Sequence, residues 1–217
     1  MSTAKEEGQP SSAVMAHAVN DLLKKMKTTS GCRFNAAKRL EARERSLTRL
    51  ISFISVYVVS LTVLPYFLKL NHDTTNFLNI LTFIFGLVIL VSSLLQTSTR
   101  DAVFAEQHHR CALEISEIIR ELNIEFNGIS QTTARAYNER YNQVLQKYSI
   151  NHDEVDFSEF KVNRPDEFTW ITRSQWISIH AKLILVKQWI NFVLLTITLL
   201  LAYALFTIGV FPRGLLN

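Results

Sequence analysis

Three residues within one helical turn, His108, His109 and Cys111, carry side chains that ligate transition metals. On a helix His108 and Cys111 stand three apart and share a face, so one corner of a zinc site is a possible reading. Their spacing matches none of the usual zinc arrangements, and no second Cys/His pair stands elsewhere to complete four ligands. A second cluster, Asn151-His152-Asp153-Glu154, has the residue types of an acid–base centre, but a capped turn explains it more simply. No phosphate loop, nucleophile elbow or paired-carboxylate signature occurs. These residues predict a chain that is not an enzyme, holds no metal and needs no cofactor.

The surroundings of His108 and Cys111 supply a packing explanation. Phe104, His108, Cys111, Ile115, Ile118 and Leu122 follow one another in steps of four and three, a heptad seam. Glu106, Arg110, Glu114, Glu117, Arg120 and Glu121 flank it with charge. After a break at Asn127-Gly128, Tyr137, Tyr141, Val144 and Tyr148 repeat the same steps, which predicts a helical hairpin. Tyr148 to Pro165 is aperiodic and reads as an ordered connector, with Asp166 then capping a helix that contains Trp170, Trp176 and His180. Upstream, residues 1–12 read as a polar tail whose composition predicts disorder. Val14, Met15, Ala18, Val19, Leu22 and Met26 mark one amphipathic helix, which Thr28-Thr29-Ser30-Gly31 should end. A second, basic helix starts near Phe34 and runs through Leu40 and Leu47. Its arginines read as a solvated face or as contacts to lipid headgroups.

These elements stand beside three long apolar runs. Leu50 to Leu68 and Phe77 to Leu95 contain no charged residue, and each would span roughly 28 Å as a helix, close to the thickness of a bilayer core. The polar link Lys69 to Asn76 is long enough only for a turn between antiparallel spans. Trp189 to Phe211 is again uncharged. The fold class expected is an all-α membrane protein: a transmembrane helical hairpin plus a third C-terminal transmembrane helix, with a cytoplasmic helical bundle. Its segments would be the tail 1–12, amphipathic and basic helices 13–49, the hairpin 50–95, a receiver 96–188, the third span 189–211 and an external tail 212–217. Residues 1–49 hold ten Lys/Arg against five Asp/Glu, whereas residues 97–188 hold eleven against thirteen. A basic excess just before the first span predicts a cytoplasmic N-terminus and receiver and an external C-terminus. Cys32 and Cys111 then lie in a reducing compartment as free thiols. No apolar leader precedes the first span, which would serve as its own insertion signal.

Inside the spans, weakly polar and small residues collect on one side. Ser52, Ser55 and Thr62 share a stripe on the first run, and Asn79, Thr82, Gly86 and Ser93 share one on the second. Such residues let helices approach closely in lipid, or they form the wall of a pore that exists only in an oligomer. The two readings agree if the close packing is between protomers. Intramembrane charges, which mark transport routes, are missing from all three runs, and this argues against a transporter.

Three blocks together resemble a known family. They are the basic helix and hairpin from Asn35 to Leu95, the run Phe104-Ala105-Glu106-Gln107-His108-His109-Arg110-Cys111-Ala112-Leu113-Glu114-Ile115, and Tyr148-Ser149-Ile150-Asn151-His152-Asp153-Glu154-Val155-Asp156-Phe157 with Phe160-Lys161. The chain is similar to the SLATT domain, a two-span effector domain associated with SMODS and SLOG proteins in bacterial defence operons, and most like the subgroup found beside reverse transcriptases. The third span goes beyond the two in the family's name. The resemblance implies a non-enzymatic effector in the bacterial inner membrane, contacting lipid and forming a homo-oligomer. It would permeabilise or depolarise the membrane when a partner sensor, a nucleotide cyclase or reverse transcriptase, detects phage. A nucleotide or nucleic acid would be the signal. The rival expectation is a non-conducting anchor or scaffold for a defence enzyme.

Overall fold

Thr28 to Gly31 do not end a helix. In the computed structural model, which describes residues 12–68, 70–125 and 129–207, a single helix α1 runs from Ser12 to Leu68 over 57 residues. Three of these four small residues, Thr29, Ser30 and Gly31, are places where neighbours approach closely. Thr28 and Thr29 donate their hydroxyls to the Lys24 and Lys25 carbonyls at 2.9 and 3.0 Å, and Thr29 Oγ1 also meets the Tyr141 hydroxyl at 2.8 Å. Ser30 donates to the Ala112 carbonyl at 3.0 Å and pairs with the Ser116 hydroxyl at 2.8 Å. A methyl at Gly31 would lie 2.3 Å from Cε2 of Phe160, so the missing side chain makes room for a ring.

Among the described residues five further helices follow: α2 (His72–Thr99), α3 (Asp101–Ile124), α4 (Gln131–Tyr148), α5 (Glu154–Val162) and α6 (Arg173–Thr207). No strand occurs among the described residues. Their starts are written in local chemistry. The Asn71 side chain accepts from the Thr74 amide at 2.8 Å to open α2, and Ser130 accepts from the Thr133 amide at 3.1 Å to open α4. Asp153 and Asp156 form a capping box at α5, with the Asp153 amide donating to Asp156 Oδ2 at 2.9 Å. The supposed connector from Tyr148 to Pro165 therefore contains a helix, too short for periodicity to announce. Asp166 caps nothing. It lies in a turn, Trp170 stands outside any helix, and α6 opens after Thr172, which exchanges hydrogen bonds with Gln175. The expected tail at 1–11, Lys69 of the link, the Asn127-Gly128 break, the end of the third run from 208 and the tail 212–217 lie outside the described residues.

The chain divides into two compact units. The first takes the described residues up to Lys38 together with Ala105–Trp176. Its core joins Val19, Leu23 and Met26 of α1, Cys111, Ile115, Ile118 and Leu122 of α3, and Tyr137 and Tyr141 of α4. Burying each such side chain contributes about 1.5–3 kcal/mol. Phe104, the first residue of the expected seam, is 42% exposed, while Ala105 is buried in its place. A straight helix turns every 3.6 residues, so a strict four–three spacing drifts off the buried line at its end.

The second unit takes Arg39–Phe104 and the described residues from Ile177 onward. Leu47, Leu50, Ile54 and Leu61 of α1 pack with Leu78 and Phe85 of α2 and Ile190 of α6. The Tyr57 hydroxyl meets Thr198 Oγ1 at 2.6 Å, and Gln96 Nε2 donates to Thr48 Oγ1 at 2.9 Å. Among the described residues three helical stretches are long and apolar enough to cross a membrane, and their most apolar segments are only 17%, 17% and 6% buried. Helices apolar on their outer faces as well as their inner ones are matched to lipid rather than water.

Candidate functional site

In the first unit, the polar chemistry gathers around Arg33. Its guanidinium is brought inside the bundle by α1 and is only 5% exposed. Nη1 lies 3.4 Å from Nδ1 of the buried His108, and Nε has no hydrogen-bond partner. Asp156 is fully buried, and its backbone carbonyl accepts from Asn35 Nδ2 at 3.1 Å. Burial lowers the pKa of the Arg33 guanidinium and raises that of the Tyr141 phenol. Burial, assisted by Asp156, pushes the Cys32 thiol up to about 11, and burial also raises Cys111. His152 is held below the usual imidazole range, first by burial and then by the charge of Arg33. Both thiols therefore stay protonated at neutral pH and are poor nucleophiles.

His108 and Cys111 thus stand on the buried side of α3 as the spacing indicated, with Ile115, Ile118 and Leu122. His108 is a polar neighbour of Arg33 in addition to a packing residue. His109 is exposed and sets its ring edge-on to Phe34 at 5.7 Å. Among the described residues no three His, Cys, Asp or Glu side chains converge in a way that could hold a metal ion. Asn151 to Asp153 lead into α5, which Glu154 opens, and Asp153 serves its capping box. Arg33 is the residue that sequence reasoning missed. By sequence it is one of the ten Lys/Arg of residues 1–49, and nothing in its spacing separates a buried arginine from an exposed one.

The span unit places the stripe residues differently from the buried seam. On α2 the buried positions are Leu78, Phe85 and Ser92, each one residue before Asn79, Gly86 and Ser93, which are exposed. A methyl built on Gly86 would meet nothing within 4 Å. Ser52 and Thr62 are exposed as well, while Ser55 and Thr82 are half-buried. Each of these hydroxyls donates to a carbonyl four residues back, Ser52 to Thr48, Ser55 to Ile51, Thr62 to Val58 and Thr82 to Leu78, at 2.7–2.9 Å. The exposed members of the stripe thus lie outside the chain's own buried seam, and the hydroxyls of Ser52 and Thr62 are satisfied within their own helix.

No curated protein and no solved structure matches the chain. A family model does, over residues 15–209, a stretch that takes in both units and all three apolar helices. On that match this all-α chain belongs to the SMODS and SLOG-associating 2TM effector domain family 5, and carries one apolar helix more than the two spans of the family's description.

Proposed function

We propose that this effector is the membrane-damaging arm of a bacterial anti-phage defence system. It sits in the inner membrane with its N-terminus and the unit around Arg33 in the cytoplasm and its C-terminus outside. A partner sensor, a reverse transcriptase or a nucleotide cyclase, activates it; the protein then oligomerises and depolarises or permeabilises the membrane. It performs no catalysis of its own. The reverse transcriptase is the favoured partner, on the resemblance of the blocks Phe104–Ile115 and Tyr148–Phe157 to the subgroup found beside such enzymes.

The observation that carries this reading is the exposed line Asn79, Gly86 and Ser93 running beside the chain's own seam. Lipid gives no reason to collect small and polar residues on one side of a helix, whereas a second protomer or a transient water path does. Thr82, half-buried on the same stripe, already donates its hydroxyl to the Leu78 carbonyl of its own helix. The test is depolarisation of cells that co-express the activating system. Gly86→Leu and Ser93→Leu should abolish it with insertion unchanged, and bulky changes at Leu87 or Val91 should matter less. Full depolarisation by both stripe variants would discard this face, and no depolarisation by the parent would favour a non-conducting anchor.

A further inference from the structure

Two residues other than glycine have a positive φ among those described, and one of them, Arg100 (φ 50°, ψ 33°), stands alone between α2 and α3. It ends α2 in the left-handed conformation, and its carbonyl accepts the Phe104 amide at 3.1 Å to begin α3. An L-residue with a side chain adopts this conformation at a cost that glycine avoids, and right-handed geometry at this one position would join the two helices. The joined element would run from His72 to Ile124, 53 residues that include the most apolar part of α2 and the buried line of α3. The neighbouring residues hold the break open. Asp101, the first residue of α3, is buried, and its Oδ2 lies 3.3 Å from Arg43 Nε on α1, a charge pairing at a distance without hydrogen-bond geometry at that oxygen. A carboxylate in the first turn also favours a helix that starts there. One turn earlier, Gln96 is tied to Thr48.

We propose that Arg100 is a two-state joint. The resting chain holds it left-handed with the Arg43–Asp101 ion pair as latch, and activation relaxes it to right-handed helix and fuses α2 with α3. This rests on the effector reading above. It supplies a step by which a signal received on α3 changes the membrane helix continuous with it.

The test is a series at one position on the full chain. Arg100→Gly and Arg100→Asn lower the cost of the left-handed form, Arg100→Val raises it, and Arg100→Ala deletes the guanidinium at similar backbone cost. Hydrogen exchange is measured on chains in phosphatidylethanolamine–phosphatidylglycerol nanodiscs, and the dose of activating system needed for depolarisation is measured in cells. Amides 101–103 lack helical partners while the break stands and gain them on fusion. Exchange there should be slower in Arg100→Val than in Arg100→Gly. The dose should fall about tenfold for Val and rise about tenfold for Gly, with Asn between Gly and the parent and Ala equal to the parent. Asp101→Asn, which weakens the latch, should move with Val. Equal exchange in the Gly and Val proteins overturns the joint, as does an Ala protein that behaves like Gly. Altered exchange with an unaltered dose overturns its role in activation. A parent that never depolarises removes the effector reading instead, and exchange at 101–103 then decides the joint alone.

Discussion

Gly31 and Phe160 touch where a helix passes a ring, and the contact leaves no space for a methyl. Gly31→Ala should therefore destabilise the bundle by about 1–3 kcal/mol, the usual cost of overpacking, even though alanine is the better helix former. Thermal unfolding by circular dichroism reads the loss, and Phe160→Leu in the same chain should recover part of it. His152 carries a pH prediction. Its folded pKa lies below its unfolded one because burial and Arg33 disfavour the imidazolium. Unfolding then takes up a proton as pH falls through the ordinary histidine range, so the stability His152 contributes is present above that range and lost below it. A pH titration of unfolding should show the loss, and His152→Gln should flatten it.

At the scale of elements, the seam of α3 binds the first unit together. Ile115 and Ile118 are buried among Val19, Leu23 and Met26 of α1 and Tyr137 and Tyr141 of α4. Ile115→Asp or Ile118→Asp places an unpaired charge there and should cost several kcal/mol, enough to unfold the bundle. Near-UV circular dichroism and proteolysis would check this, and retained tertiary signal in both variants would contradict it. Spacing revealed this seam from His108 to Leu122 because burial repeats with the helix turn. It misplaced Phe104 because the repeat drifts, and it missed α5 because nine residues hold too few turns to show a period.

For the whole molecule, the prediction is topology. Ten basic residues before the first apolar run, with three crossings in all, predict a cytoplasmic N-terminus and an external C-terminus. A reporter fused after Asn217 checks this: alkaline phosphatase should be active there and a fluorescent protein dark. The reverse pattern would reduce the spans to two, as in the family's description, and leave α6 on the cytoplasmic side.

The amino-acid sequence by itself determined the all-α class, the three apolar helices and the buried line of α3. Each of these depends on composition or period within one segment, and lipid or a partner helix selects for nothing finer. Only the tertiary structure decided that Thr28 to Gly31 continue a helix, that Arg33 is buried beside His108, and that Arg100 is left-handed. In each case the deciding atom belongs to a residue distant in the chain or to a neighbouring helix: the ring of Phe160, the imidazole of His108, the guanidinium of Arg43 beside Asp101. A small or charged residue has several local solutions of nearly equal free energy, and tertiary contacts select among them.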